Sequence, residues 1–270
     1  MPASRSQAHI KKNKVAALTL TPVENFPLIR RDDNLADIIV RSLNATNIDI
    51  QDGDIFVIAQ KIVSKAEGRM VNLAIVTPSR RAFELAEQTQ KDARIVELIL
   101  QESREVVRTR PGTIIVEHKL GFVCANAGID HSNVAGLGDS VEEWVLLLPQ
   151  DPDRSARKLR DEILSTTGKL AGVLIIDSHG RAWRNGTVGV AIGVAGLPAL
   201  EDLRGKQDLF GFTLRITQVG VADELAAGAS LLMGQAAEGT PVIHVRGFPY
   251  PMREGSIGEL LRPKEQDLFR

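Results

Sequence analysis

Cysteine is nearly absent from this 270-residue chain. Cys124 is the sole one, so no disulfide can form within the chain, and the composition fits a reducing cytosol. No run of about 18 apolar residues occurs, which excludes an ordinary membrane-spanning helix. The first stretch, MPASRSQAHIKKNK, scatters basic residues without the apolar centre of a signal peptide, so residues 1–14 read as a tail. Neither sign of charge is in excess: 33 Lys and Arg stand against 34 Asp and Glu, a net charge of -1. That balance argues against nucleic acid as a partner and against a solvating acidic segment. Several chemistry-bearing motifs are missing too. There is no HExxH and no CxxC for zinc, no GxxxxGK[ST] for a P-loop, and no GxGxxG for a dinucleotide. What remains is a cytoplasmic globular chain, long enough to bury a substantial core.

Hydrophobic periodicity gives mixed elements. VAALTLTPV reads as a strand, and NLADIIVRSLNAT as a helix with Leu35, Ile38, Ile39 and Leu43 on one face. DGDIFVIAQKIVSKAEGR reads as a turn and then a buried strand ending among polar groups. A long helical pattern covers 79–107, with a break near Gln90 to Asp92. TIIVEHKL and GFVCANA form a hairpin pivoting near Gly121, and WVLLLP is a further buried strand. Asp151 as N-cap, Pro152 at the first position and Gly168 past the end bound another helix. GVLIID is a strand ending on a carboxylate, GTVGVAIGVAG is extended, and FTLRITQV and PVIHVRG are strands. Between the last two lies a small-residue helix closed by Gly239, and SIGELLRP is a short terminal helix or tail. Strands and helices do not alternate regularly, so the class is α+β with a mixed sheet.

Two strand ends empty polar groups into loops: GFVCANAGIDHSNV with Asp130, His131 and Asn133, and IIDSHGRAW with Asp177, Ser178 and His179. Paired carboxylates at such ends can hold a hard divalent cation, and arginines beside them suit a polyphosphate. The competing reading makes Asp130 and Asp177 caps of Asx-turns. His131 and His179 read as loop residues. Lys61, Ser64, Lys65 and Arg69 could meet phosphates or form a solvated turn. The glycines at 186, 189, 193 and 196 fit tight strand packing better than a cofactor loop. In ADELAAGASLLMGQAAEGTP one small-residue face can pack on another backbone, and Gln235 and Glu238 lie where they could reach a ligand. Cys124 reads as a buried apolar residue.

Taken together, AQKIVSKAEGR, GFVCANAGIDHSNV, DSHGRAWRNGTVGVAIGVAG, LRGKQDLFG and VADELAAGASLLMGQAAEGTPV resemble the coenzyme F420:L-glutamate ligase family over residues 15–248. The resemblance implies a two-subdomain ligase fold in an intertwined homodimer, with 249–270 as a C-terminal extension and no FMN-dependent activity. It implies GTP-dependent addition of L-glutamate, through γ-linked amide bonds, to the lactyl phosphate tail of the deazaflavin precursor, coenzyme F420-0, by way of an acyl phosphate. Two divalent ions, Mg²⁺ or Mn²⁺, are implied at Asp130, Asp177, Ser178 and Gln235, and a K⁺ ion is admissible beside them. Nucleotide contacts fall on Pro27, Leu28, Ile29, Gln60, Lys65 and Asn133, and on Met233, Gly234, Gln235, Ala236, Ala237, Glu238, Gly239 and Thr240. Lys65 is the candidate to stabilise the tetrahedral oxyanion. Rival readings are a ligase for a different phosphorylated carboxylate and a GTP-binding dimer without catalysis.

Overall fold

The structure is a computed structural model that describes residues 17–134 and 143–268, so the tail expected at 1–14 lies outside the described residues. In chain order the elements are β1 (Thr19–Pro22), α1 (Leu35–Ala45), β2 (Ile55–Ala59), α2 (Gln60–Ala66), β3 (Met70–Asn72), α3 (Arg80–Thr89) and α4 (Ala93–Gln101). Then come β4 (Ser103–Arg110), β5 (Thr113–His118), β6 (Val123–Ala125), β7 (Trp144–Leu146) and α5 (Pro152–Thr167). The chain finishes with β8 (Gly172–Arg181), β9 (Arg184–Ala195), β10 (Glu201–Asp202), β11 (Gln218–Val219), α6 (Val221–Met233) and β12 (Val242–Arg246).

A five-stranded sheet in the order β1-β12-β2-β8-β9 organises the molecule. It is mixed, as expected: β2 and β8 run parallel while the other neighbours are antiparallel. Both faces are covered. Phe56, Ile58, Val173 and Ile175 pack with α1 and α5 on one side, while Val57, Leu174, Ile176 and Ala191 meet α6 on the other. Because side chains alternate along a strand, β8 is apolar on both faces until Ile176 and turns polar at Asp177. A three-stranded sheet, β4-β5-β6, packs with α3 and α4 around a separate cluster that includes Leu85, Ile99, Val116 and Cys124. No helix among the described residues is long and apolar enough to cross a membrane.

The capped helix fell where its signals put it. Asp151 accepts the Arg154 N–H at 2.9 Å, Pro152 opens α5, and Gly168 ends it with φ 69°. The break in the long helical pattern is real: Gln90 turns left-handed (φ 55°) and Asp92 starts α4 by accepting from the Arg94 N–H. Small residues bring elements together as expected. A Cβ on Gly189 would lie 2.5 Å from the Ala226 carbonyl oxygen of α6, and one on Gly193 at the same distance from that of Pro152.

Several expectations need correction. In DGDIFVIAQKIVSKAEGR the buried strand is β2 alone, and the polar residues after it form a helix, α2, which turns Ile62 and Val63 back into the core. Residues 103–107, read as helix, belong to β4, where pairing with β5 overrides a continuous apolar pattern. Asp177 does not end its strand, since β8 runs on to Arg181 through pairing with β9. FTLRITQV is strand only at Gln218 and Val219, and leaves Phe212 and Ile216 exposed. Gly234, not Gly239, closes α6. The terminal segment contributes only short 3₁₀ turns, yet it is anchored: Asp153 accepts from the Ser256 hydroxyl at 2.7 Å and from the Val194 N–H at 2.8 Å.

Candidate functional site

The site forms where β2 ends and β8 continues. Ala59 pairs with Ile176, so Gln60 and Asp177 emerge next to each other at the edge of the core. Gln60 is buried, and its carbonyl oxygen accepts from the Ser64 hydroxyl at 2.9 Å. That bond fixes the amide orientation and turns Nε2 toward Asp130, whose Oδ2 accepts from it at 2.8 Å. Lys61, next on α2, sets its ammonium 3.5 Å from Asp130 Oδ1 and donates to the hydroxyl and carbonyl of Ser132 at 2.9 and 3.2 Å.

The loop carrying Asp130 is built rigidly. Asn126 and Ala127 both adopt positive φ, and the Asn126 side chain accepts from the Ile114 N–H of β5 at 3.0 Å. Asp130 then exchanges both backbone hydrogen bonds with Leu146, at 2.9 and 3.0 Å. Its backbone is therefore committed to the protein and its carboxylate is directed to Gln60 and Lys61. The turn-cap reading of Asp130 does not describe this arrangement. Nor does it describe Asp177, which sits in a paired strand with its Oδ2 3.0 Å from His179 Nε2.

Electrostatics mark the pair. Burial, reinforced by the negative charge of Asp177, pushes the Asp130 carboxyl up to about 6 despite Lys61 and Gln60. Burial and the neighbouring Lys61 lower the pKa of the Lys65 ammonium, which donates to the Asn133 carbonyl at 2.7 Å. Asn133 in turn donates from its side chain to the Ala236 carbonyl at 3.0 Å. One relay thus joins α2, the 126–133 loop and the segment after α6. Within that segment Gly234 has φ 71°, Thr240 donates to the carbonyls of Leu232 and Met233, and Glu238 accepts from the Ala236 N–H at 2.8 Å. Ala237 and Gly239 complete the loop.

Not every expected residue converges. Gln235 donates to Ser230 at 3.2 Å, on α6. Ser178 alternates to the opposite sheet face from Asp177, toward Gly189 and α6. Pro27 and Leu28 line a surface groove of about 790 Å³ with Arg30, Ile38 and Arg41, while Ile29 is buried. Ile29 shares a buried cluster with Ile62 and Val63 of α2, and the Asp32 N–H donates to the Ala66 carbonyl at 2.9 Å. Lys61, which pattern alone left open, proves central; its signal was its place one residue after a buried amide. Cys124 is buried and its thiol is pushed up to about 12, chiefly by burial and then by Asp177, which rules it out as a nucleophile.

Among the described residues no group of three or more His, Cys, Asp and Glu side chains is disposed to hold a metal ion. The donor set still suits magnesium, which takes one or two carboxylates and completes its shell with water and phosphate oxygens. The charge of Asp177 adds to burial in raising the proton affinity of Asp130, a demand for positive charge that Lys61 meets in part.

The mixed sheet carries a charged, oxygen-rich site at its strand ends, and comparison with known proteins places the chain among enzymes of the ligase class. A family model described as F420-0:Gamma-glutamyl ligase matches residues 24–247, and the chain belongs to that family. It is 48% identical to the coenzyme F420:L-glutamate ligase of Methanothermobacter thermautotrophicus over 94% of this chain and 99% of the relative. Proteins of the same name from Methanocaldococcus jannaschii (48% identity; 82% of this chain, 86% of the relative) and Archaeoglobus fulgidus (46%; 92% and 95%) are also similar.

Proposed function

We propose that this protein uses GTP to join L-glutamate to the lactyl phosphate tail of coenzyme F420-0 through γ-linked amide bonds. The observation that carries the reading is the relay from Gln60 and Lys61 through Asp130 and Asn133 to Ala236, which brings three of the five blocks of the family resemblance together.

A carboxylate does not acylate an amine directly, because oxide would have to leave. Its oxygen therefore attacks the γ-phosphorus of GTP, GDP departs, and an acyl phosphate forms. The glutamate amine then adds to the acyl carbon, and phosphate leaves as the amide forms. Asp130 and Asp177 would hold divalent cations, Mg²⁺ or Mn²⁺, which neutralise phosphate charge when bound. Lys61 and Lys65 supply fixed positive charge beside them. The lowered pKa of Lys65 leaves its ammonium a readier hydrogen-bond donor to the tetrahedral oxyanion. Residues 233–240, with Pro27, Leu28 and Ile29, are the nucleotide contacts in this reading, and K⁺ is an admissible additional ion.

The protein is read as a cytoplasmic homodimer with β4-β5-β6, α3 and α4 as a second subdomain. In support, the hairpin between β10 and β11 exposes Leu209, Phe210, Phe212 and Ile216, an apolar arm suited to a second copy of the chain. Incubation with GTP, glutamate and coenzyme F420-0, followed by mass spectrometry, tests the activity. The expected result is an acceptor heavier by one or more glutamyl units with GDP released, and acceptor-independent GDP release or no product overturns it.

A further inference from the structure

The β8–β9 hairpin extends beyond the rest of the sheet. β2 stops opposite Ile176, so from Asp177 onward β8 is paired only with β9, and the two form a ribbon rising from the site. Its tip carries Arg181, Trp183 and Arg184, all exposed, with the indole 87% accessible.

The tip combines an unfavourable backbone conformation with facing like charges. Trp183 has φ 64°, a left-handed turn position that favours glycine or asparagine and is strained for a bulky residue. Arg181 and Arg184 stand directly opposite one another in register, where like charges repel. Neither forms an ion pair with a carboxylate among the described residues. Strain, an exposed aromatic ring and facing cations all work against stability, and they coincide beside the cleft. Local strain of this kind persists at positions that serve a ligand.

The reach of the ribbon indicates which part of a ligand it meets. At ~3.3 Å per residue along an extended strand, Arg181 lies about 13 Å beyond Asp177. A molecule whose carboxylate reacts at Asp130 and Asp177 would thus present its far end to the tip. An indole stacks on planar rings, and two facing guanidinium groups match a phosphate ester.

We propose that the Arg181–Trp183–Arg184 tip recognises the acceptor, with Trp183 stacked on a planar heteroaromatic ring and the arginines holding the phosphate ester between that ring and the reacting carboxylate. The assignment rests on the function proposed above, which supplies a deazaflavin phospholactate as acceptor.

Binding of coenzyme F420-0 to the full chain, measured by calorimetry without GTP or glutamate, tests this apart from turnover. Trp183→Ala should raise the acceptor Kd about tenfold or more, in line with ring stacking of roughly 1–3 kcal/mol. Trp183→Phe should recover most of that loss, and Arg181→Ala with Arg184→Ala should weaken binding and flatten its salt dependence. In a Trp144→Phe background, acceptor binding should quench the emission of Trp183. Thermal melting of each variant confirms the fold. If the wild-type chain binds the acceptor and Trp183→Ala binds it equally well, the tip has no such role and the proposed function stands. If the wild-type chain does not bind it, the proposed function fails and this assignment fails with it.

Discussion

His118 makes a sharp, separable prediction about acid stability. It ends β5 with only 2% of its surface exposed, stacked on Phe122 with ring centroids 5.3 Å apart. Its Nδ1 accepts from the Leu120 N–H at 3.0 Å, so the neutral ring carries its proton on Nε2. The nearest carboxylate, Glu102, is 4.0 Å from Nε2 and is already held by Arg69 at 2.6 Å. Burial first, then the positive charges of Arg69, His179, Lys119 and Arg104, pushes His118 from the usual 6.5 down to about 4. Between these values the unfolded chain binds a proton that the folded chain refuses. The stability from the neutral ring is therefore complete above pH 6.5 and lost as pH falls toward 4. At 1.36 kcal/mol per pH unit this loss is on the order of 3 kcal/mol, a large part of an ordinary domain's ~5–15 kcal/mol. Urea unfolding of the wild type and of His118→Gln, at half-unit steps from pH 7.5 to 4.5, measures it. The wild type should lose more stability across this range than the variant, by about that amount. Equal pH slopes would refute the reasoning.

Other outcomes follow from single contacts. Asp130→Asn should abolish ligation while shifting the melting temperature little, and complete chelation of divalent ions should abolish it as well; GTP-dependent turnover within tenfold of normal in either experiment would count against the site. Gly193→Ala should destabilise the fold by about 3 kcal/mol or more by forcing a Cβ onto the Pro152 backbone, read as a drop in the unfolding midpoint. For Asp54, burial opposes ionisation, but hydrogen bonds from Arg246 at 2.7 and 2.8 Å and from the Gln51 N–H, with His244 Nε2 2.8 Å away, outweigh it and hold the pKa below the usual 3.8. Its stabilisation is present above pH 3.8 and disappears as pH falls below that, so Asp54→Asn should destabilise the protein by roughly 2 kcal/mol near pH 7 and less in strong acid. Phe210→Glu with Ile216→Glu should leave a folded monomer in size-exclusion chromatography; an unchanged dimer would remove the arm from the interface.

Much of the local structure was legible in the residues. Asp151, Pro152 and Gly168 bounded α5 because each satisfies or terminates backbone hydrogen bonding through neighbours within a turn. The spacing of Leu35, Ile39 and Leu43 declared a buried helix face. The motif blocks carried the family, and with it Asp130 and Asp177, although pattern alone could not separate a ligand from a turn cap. What lay out of reach depended on partners distant in the chain. Residues 103–107 are strand because β5 is available to pair with them, and β8 outlasts its apolar run because β9 returns beside it. Lys61 became part of the site only when the 126–133 loop folded over α2 and brought Asp130 beside it. Caps, turns and amphipathic faces follow from interactions within a few residues, so the order of amino acids determines them. The acidity of Asp130, the neutrality of His118 and the projection of Trp183 come from burial and charge supplied by segments far apart in the chain, and only the packed molecule decides them.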